Sequence, residues 1–122
     1  FLPWRFRQLL QRRQYDSNRP MYLLNGLLKL WGAIEVLSRA AVEVYAASAR
    51  RCEVEVVYSD KGEDWYLHLC MELLGLQGIR EPHLISLHGL RSPCNTTHVA
   101  FHPFKRQVPL LACVRRTTAI TP

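Results

Sequence analysis

The residues with the clearest chemistry lie in the first sixteen positions, FLPWRFRQLLQRRQYD, where Trp4, Arg5, Phe6, Arg7, Arg12, Arg13 and Tyr15 interleave guanidinium groups with aromatic rings. Arginine forks match phosphate oxygens, and aromatic faces stack on unpaired bases, so this pattern suits an arm laid into structured RNA. The histidines and cysteines offer less. His98 and His102, four apart, would share one face of a strand, and His68 stands two residues from Cys70, but neither arrangement is a metal spacing. Asp60, Glu63 and Asp64 match no calcium loop. A Cys70 or Cys113 nucleophile would need a neighbouring base or cation to lower its pKa, and neither sequence context supplies one. With no glycine-rich phosphate loop and no nucleophile elbow, the sequence points away from an enzyme and asks for no cofactor or small-molecule substrate.

Charge placement points the same way. The 122-residue chain carries a formal +6. Arg5, Arg7, Arg12, Arg13 and Arg19 crowd the first twenty residues against Asp16 alone, and Arg80, Arg91, Lys105, Arg106, Arg115 and Arg116 face only Glu81 after position 77. The stretch between is net acidic. Two basic ends around an acidic middle fit a polyanion-binding module better than general solvation does.

The elements that would position these groups follow from periodicity. Ser17 or Asn18 followed by Pro20 reads as a helix start, and Leu23, Leu27, Leu30, Trp31, Ile34, Leu37, Ala41, Val44, Tyr45 and Ser48 recur at helical steps. Two helices in line are predicted, 17–31 and 33–51, broken at Gly32. Lys29, Glu35, Arg39 and Glu43 interrupt the apolar run, so no membrane insertion is expected. CEVEVVYSD alternates as a short strand, Asp64 caps a third helix from Trp65 to Leu74 ending near Gly75, and strands are predicted at PHLISLHGL, HVAFHPF and QVPLLACVRRTT. The expected fold is α+β: two long N-terminal helices and a third packed on a small, mostly antiparallel sheet, as one domain over 17–122 behind a basic arm of 1–16. Cys52, Cys70, Cys94 and Cys113 form no C-x-x-C pair. Three of them sit in apolar runs that suit buried thiols, and reduced cysteines are expected. The chain starts with Phe1 and not Met, so either a targeting segment has been removed or the start has been trimmed; a removed presequence would fit an organelle or a secreted protein.

Three stretches resemble, in order, the mitochondrial form of the large-subunit ribosomal protein family numbered seventeen: Arg19-Pro-Met-Tyr-Leu-Leu-Asn25; Ile34-Glu35 with the Ala41–Val44 stretch; and a helix with Leu69, Leu73 and Leu74 followed by His83–Leu87, Arg91 and Val108–Val114. The resemblance implies a structural constituent of the large ribosomal subunit in the mitochondrial matrix, with ribosomal RNA and neighbouring ribosomal proteins as partners. RNA contacts would then fall on Trp4, Arg5, Arg7, Arg12, Arg13, Tyr15, Arg19, Asn25, Arg91, Lys105 and Arg106. Two alternatives come from the same residues. One is an accessory subunit of another mitochondrial assembly, a respiratory-chain complex, without RNA contact; the other is a secreted two-disulfide signalling domain, for which the even cysteine count and the Asn95-Thr96-Thr97 sequon speak.

Overall fold

The structure, a computed structural model, describes residues 1–57, 60, 62–86, 94 and 96–118. The fold is α+β. Its elements divide into two compact units: Gln14–Pro82, and a second formed by Phe1–Arg13 together with His83–Pro122.

Within Gln14–Pro82, a three-stranded sheet is built from β1 (Met21–Leu24), β2 (Val36–Leu37) and β3 (Gln77–Arg80), with β1 in the centre. β1 runs antiparallel to β2 and parallel to β3, Tyr22 opposite Leu37 on one side and Gly78 on the other. Between β2 and β3 the chain forms two helices, α2 (Arg39–Glu55) and α3 (Glu63–Leu73). Tyr22, Leu30, Ala41, Cys52, Cys70, Met71 and Leu76 make the buried cluster on which these elements close.

Local chemistry explains the boundaries. Ser38 caps α2, its hydroxyl accepting from the Ala41 and Met21 amides and donating to the Arg19 carbonyl, so one side chain fixes the helix start and the entry to β1. α3 begins with Glu63 and Asp64 at the positive end of its dipole. It ends in a paired cap, with the Gly75 amide on the Glu72 carbonyl and the Leu76 amide on the Met71 carbonyl; Gly75 takes the required φ of +70°.

The second unit contains α1 (Pro3–Arg13), the parallel pair β4 (Ile85–Ser86) and β5 (Ala100–Phe101), and α4 (Gln107–Thr118). Pro3 sits at the first helical position, where its missing N–H costs nothing. The Leu2 amide donates to the Val99 carbonyl, and Leu2, Leu9, Leu84, Val99 and Cys113 are buried.

Several expectations are corrected. The segment 1–16, read as a basic arm, is helical over Pro3–Arg13, and Leu2 and Leu9 are buried. The predicted helix over 17–31 is a turn, a strand and a loop. Asp16 accepts the Asn18 amide on its carboxylate and the Arg19 amide on its carbonyl, and this turn takes the place of a helix start. The second helix begins at Arg39, not 33, since Val36 and Leu37 pair with β1. CEVE, read as strand, completes α2, where Arg51 pairs with Glu55 one turn on and Cys52 is buried. QVPLLACVRRTT is a helix, because Pro109 falls in its first turn, where amide donors have no intrahelical partner. The sheet pairing is mixed instead of mostly antiparallel. The cysteines are not reduced: Cys52 bonds Cys70 and Cys94 bonds Cys113, each with Cα atoms 5.3 Å apart, and no described cysteine is free. Among the described residues no helix is long and apolar enough to cross a membrane.

Candidate nucleic-acid interface

Charge divides between the two units far more sharply than along the sequence. All ten Asp and Glu residues lie within Gln14–Pro82. The other unit has none, and carries Arg5, Arg7, Arg12, Arg13, Arg91, Lys105, Arg106, Arg115 and Arg116. Folding therefore gathers the two basic ends of the chain into one unit that contains no Asp or Glu of its own, which favours an incoming anion.

Helix α1 supplies the organised part of this surface. Trp4, Gln8 and Arg12 recur at four-residue steps, and Arg5, Leu9 and Arg13 form the adjacent row. With His83, Thr97 and Val99 they line a cleft of about 440 Å³. Leu9 and Val99 are buried and give it an apolar floor. Trp4 is half-buried; Arg12, Arg13 and His83 are exposed. The cleft thus offers an indole, an apolar base and several cationic or polar groups, with no acid among its lining residues.

The arginines are not equivalent. Arg5 donates through Nη1 to the carbonyls of Thr96, at 2.6 Å, and His98, at 3.1 Å, so it braces the wall of the cleft. Burial lowers its pKa from the ordinary guanidinium value, because the charged form loses part of its hydration there. Arg7 and Arg12 are exposed on α1 and have the reach to meet an external phosphate. Arg12 and Arg13 also occupy the last turn of α1, where they complement the helix dipole.

Other positions read as RNA contacts fall elsewhere. Lys105 and Arg106 are exposed just ahead of α4, in the acid-free unit. Arg115 and Arg116, counted in the basic C-terminal stretch of the sequence, are exposed in the last turn of that helix and belong to the same unit. Tyr15 belongs to the other unit, where its hydroxyl donates to the fully buried Glu81 at 2.8 Å. Arg19 is exposed in that unit, and its carbonyl accepts from Ser38. Asn25 is buried there: its amide donates to the Trp31 and Ile34 carbonyls at 2.7 and 2.6 Å and accepts the Trp31 amide at 2.6 Å. This side chain is committed to the loop after β1. Arg91, like His88 and Asn95, lies outside the described residues.

Gln8 and Thr97 enter the cleft without any signal of their own in the sequence, and His83 joins them from a stretch read as strand. The histidines have partners of other kinds. His98 shares a 2.8 Å hydrogen bond with the Thr96 hydroxyl and lies near the His83 and Phe101 rings. His68 is buried between Tyr22 and Trp65; Cys70, two residues on, is bonded to Cys52, and Cys113 to Cys94, so neither sulfur is a nucleophile in this state.

The chain matches no family model, no curated protein and no solved structure.

Proposed function

We propose that this chain is a non-enzymatic RNA-binding protein whose contact surface is the unit formed by Phe1–Arg13 and His83–Pro122. The observation that carries the reading is the complete absence of Asp and Glu from a unit bearing nine Lys and Arg residues. Its arginines would supply salt-dependent affinity for phosphates, while Trp4, in the cleft of α1, would supply a stacking face. The acidic unit would face solvent or protein neighbours.

Residence in the large ribosomal subunit of the mitochondrial matrix is the narrower form of this proposal that the resemblance implies. Leu69 and Leu73 do stand on a helix, α3. Arg19–Asn25 and Val108–Val114, likened to a helix and a strand, contain β1 and lie within α4. Support for the narrower form therefore rests on the basic surface more than on element order. A second reading is favoured by the two disulfides, which persist in oxidising compartments: a secreted domain whose basic unit meets an acidic partner.

Sedimentation of a native lysate with and without ribonuclease separates these. Migration with the large ribosomal subunit, lost on digestion, is expected for the ribosomal form; a lighter, nuclease-sensitive complex leaves the RNA reading and removes the ribosome. A nuclease-insensitive position, together with no salt-dependent binding of labelled RNA by the purified chain, overturns RNA binding and favours the secreted domain.

A further inference from the structure

We infer that the cleft on α1 is a pocket for a single unpaired nucleotide, with the Trp4 indole as the stacking face for the base and Arg12 as the partner of the phosphate. The inference deepens the RNA-binding reading by naming what the surface takes hold of, and it rests on that reading for its natural ligand.

Three properties of the cleft select this class. Its volume of about 440 Å³ lies at the small-molecule end of ligand sites, which run from about 300 to 1,000 Å³, so it accommodates a nucleotide but not a stacked duplex. Its surface combines opposites: an apolar floor of Leu9 and Val99 and an indole wall beside Arg12, Arg13 and His83. A bare inorganic anion would engage the cations and leave the indole and floor uncovered; an uncharged aromatic compound would cover the floor and crowd the guanidinium groups. A nucleotide satisfies both halves. Finally, the unit holds no Asp or Glu to pair with Arg12, while Arg5 donates through Nη1 to the Thr96 and His98 carbonyls and keeps the wall in place. Gln8 and Thr97 add donors and acceptors at the rim, where an exposed base edge can be read.

The pocket is tested on the full, oxidised chain with adenosine and uridine 5′-monophosphates. The readout is the Trp4 indole N–H resonance, assigned by its loss in Trp4→Phe. The expected result is a saturable shift; in Trp4→Ala, which lacks the reporter, affinity followed by titration calorimetry should fall about tenfold or more, as stacking worth about 1–3 kcal/mol implies. Arg12→Gln, at an exposed position that keeps the fold, should weaken binding by a comparable factor, and single-stranded RNA should outcompete duplex of equal length. An indole resonance that the nucleotides leave unmoved overturns the inference, and so does one that inorganic phosphate shifts as far as they do, since the cleft would then be an anion site only. If the resonance is unmoved while RNA still binds with a steep salt dependence, the pocket fails and the RNA-binding surface stands. If mononucleotides bind and RNA does not, the pocket stands and the polymer reading fails.

Discussion

The Arg5 guanidinium donates to the Thr96 carbonyl at 2.6 Å across 91 positions of sequence, so one member of a basic cluster also braces the fold. Removing it strands half-buried carbonyls, and Arg5→Met is expected to lower unfolding free energy by about 1–3 kcal/mol. Arg7→Gln, on the exposed side of the same helix, should change stability by less than about 0.5 kcal/mol. In RNA binding the order reverses: Arg7→Gln should reduce the slope of log affinity against log salt by about 1. Denaturant melts and a salt series on both variants check the pair, and equal destabilisation by the two would contradict the division of roles.

Asn25 provides a complementary control, since its amide closes the loop after β1 through the Trp31 amide and the Trp31 and Ile34 carbonyls. Asn25→Ala leaves these backbone groups short of partners. A loss of about 1–3 kcal/mol is expected, with RNA affinity unchanged once the folded fraction is accounted for. Reduced RNA affinity in fully folded Asn25→Ala protein would return this residue to the contact surface.

How much of this was legible depended on whether a local signal competed with a tertiary one. α3 was readable because its acidic start and its Gly75 end are local chemistry, although Asp64 lies in its first turn and Gly62, not Asp64, stands at the cap. β1 was not: Met21, Tyr22 and Leu23 are buried in succession because the strand is central, and a continuous apolar run looks the same in a buried helix. Leucines at helical spacing reinforced the error, although Leu27 and Leu28 are 73% and 84% exposed in the loop. In α4, Val108, Pro109 and Val114 argued for a strand, but proline in a first turn is no obstacle to a helix. The arginines and Trp4 of the cleft were visible by type. Their shared face with His83 and Thr97 was not, because only folding brings the two chain ends together. Cysteine pairing left no periodic trace at all.

The disulfides carry a separate expectation. Cys52–Cys70 joins α2 to α3, and Cys94–Cys113 anchors α4, over sequence separations of 18 and 19. Loops of this size correspond to about 3 kcal/mol each if the bond acts by restricting the unfolded chain. The purified protein should show no free thiol under denaturing, non-reducing conditions and all four after reduction. Paired serine variants should each lower unfolding free energy by about 2–4 kcal/mol, and Cys94→Ser with Cys113→Ser should also loosen the acid-free unit in hydrogen exchange. Four free thiols before reduction would remove both bonds and the secreted reading with them.

Glu35 gives a pH dependence of unusual sign. Its pKa is raised, first by burial and then by the neighbouring carboxylates Glu63 and Asp64. A carboxyl whose pKa is higher in the folded state binds more protons folded than unfolded as pH passes between the two values, so its contribution to stability falls with rising pH through that window. Above the window the repulsion is fully present; below it Glu35 is protonated in both states and the penalty is gone. Glu35→Gln removes the charge at all pH values. Because the group is partly solvated the effect is small, a rise in Tm on the order of 1–3 °C at pH 7. The gain should vanish as pH drops below the ordinary carboxylate range, and it should shrink in high salt, which screens Glu63 and Asp64. Thermal melts of the two proteins from pH 3 to 7 measure it. A stabilisation that persists unchanged at the acid end would mean that the glutamine acts through packing and not through the lost charge.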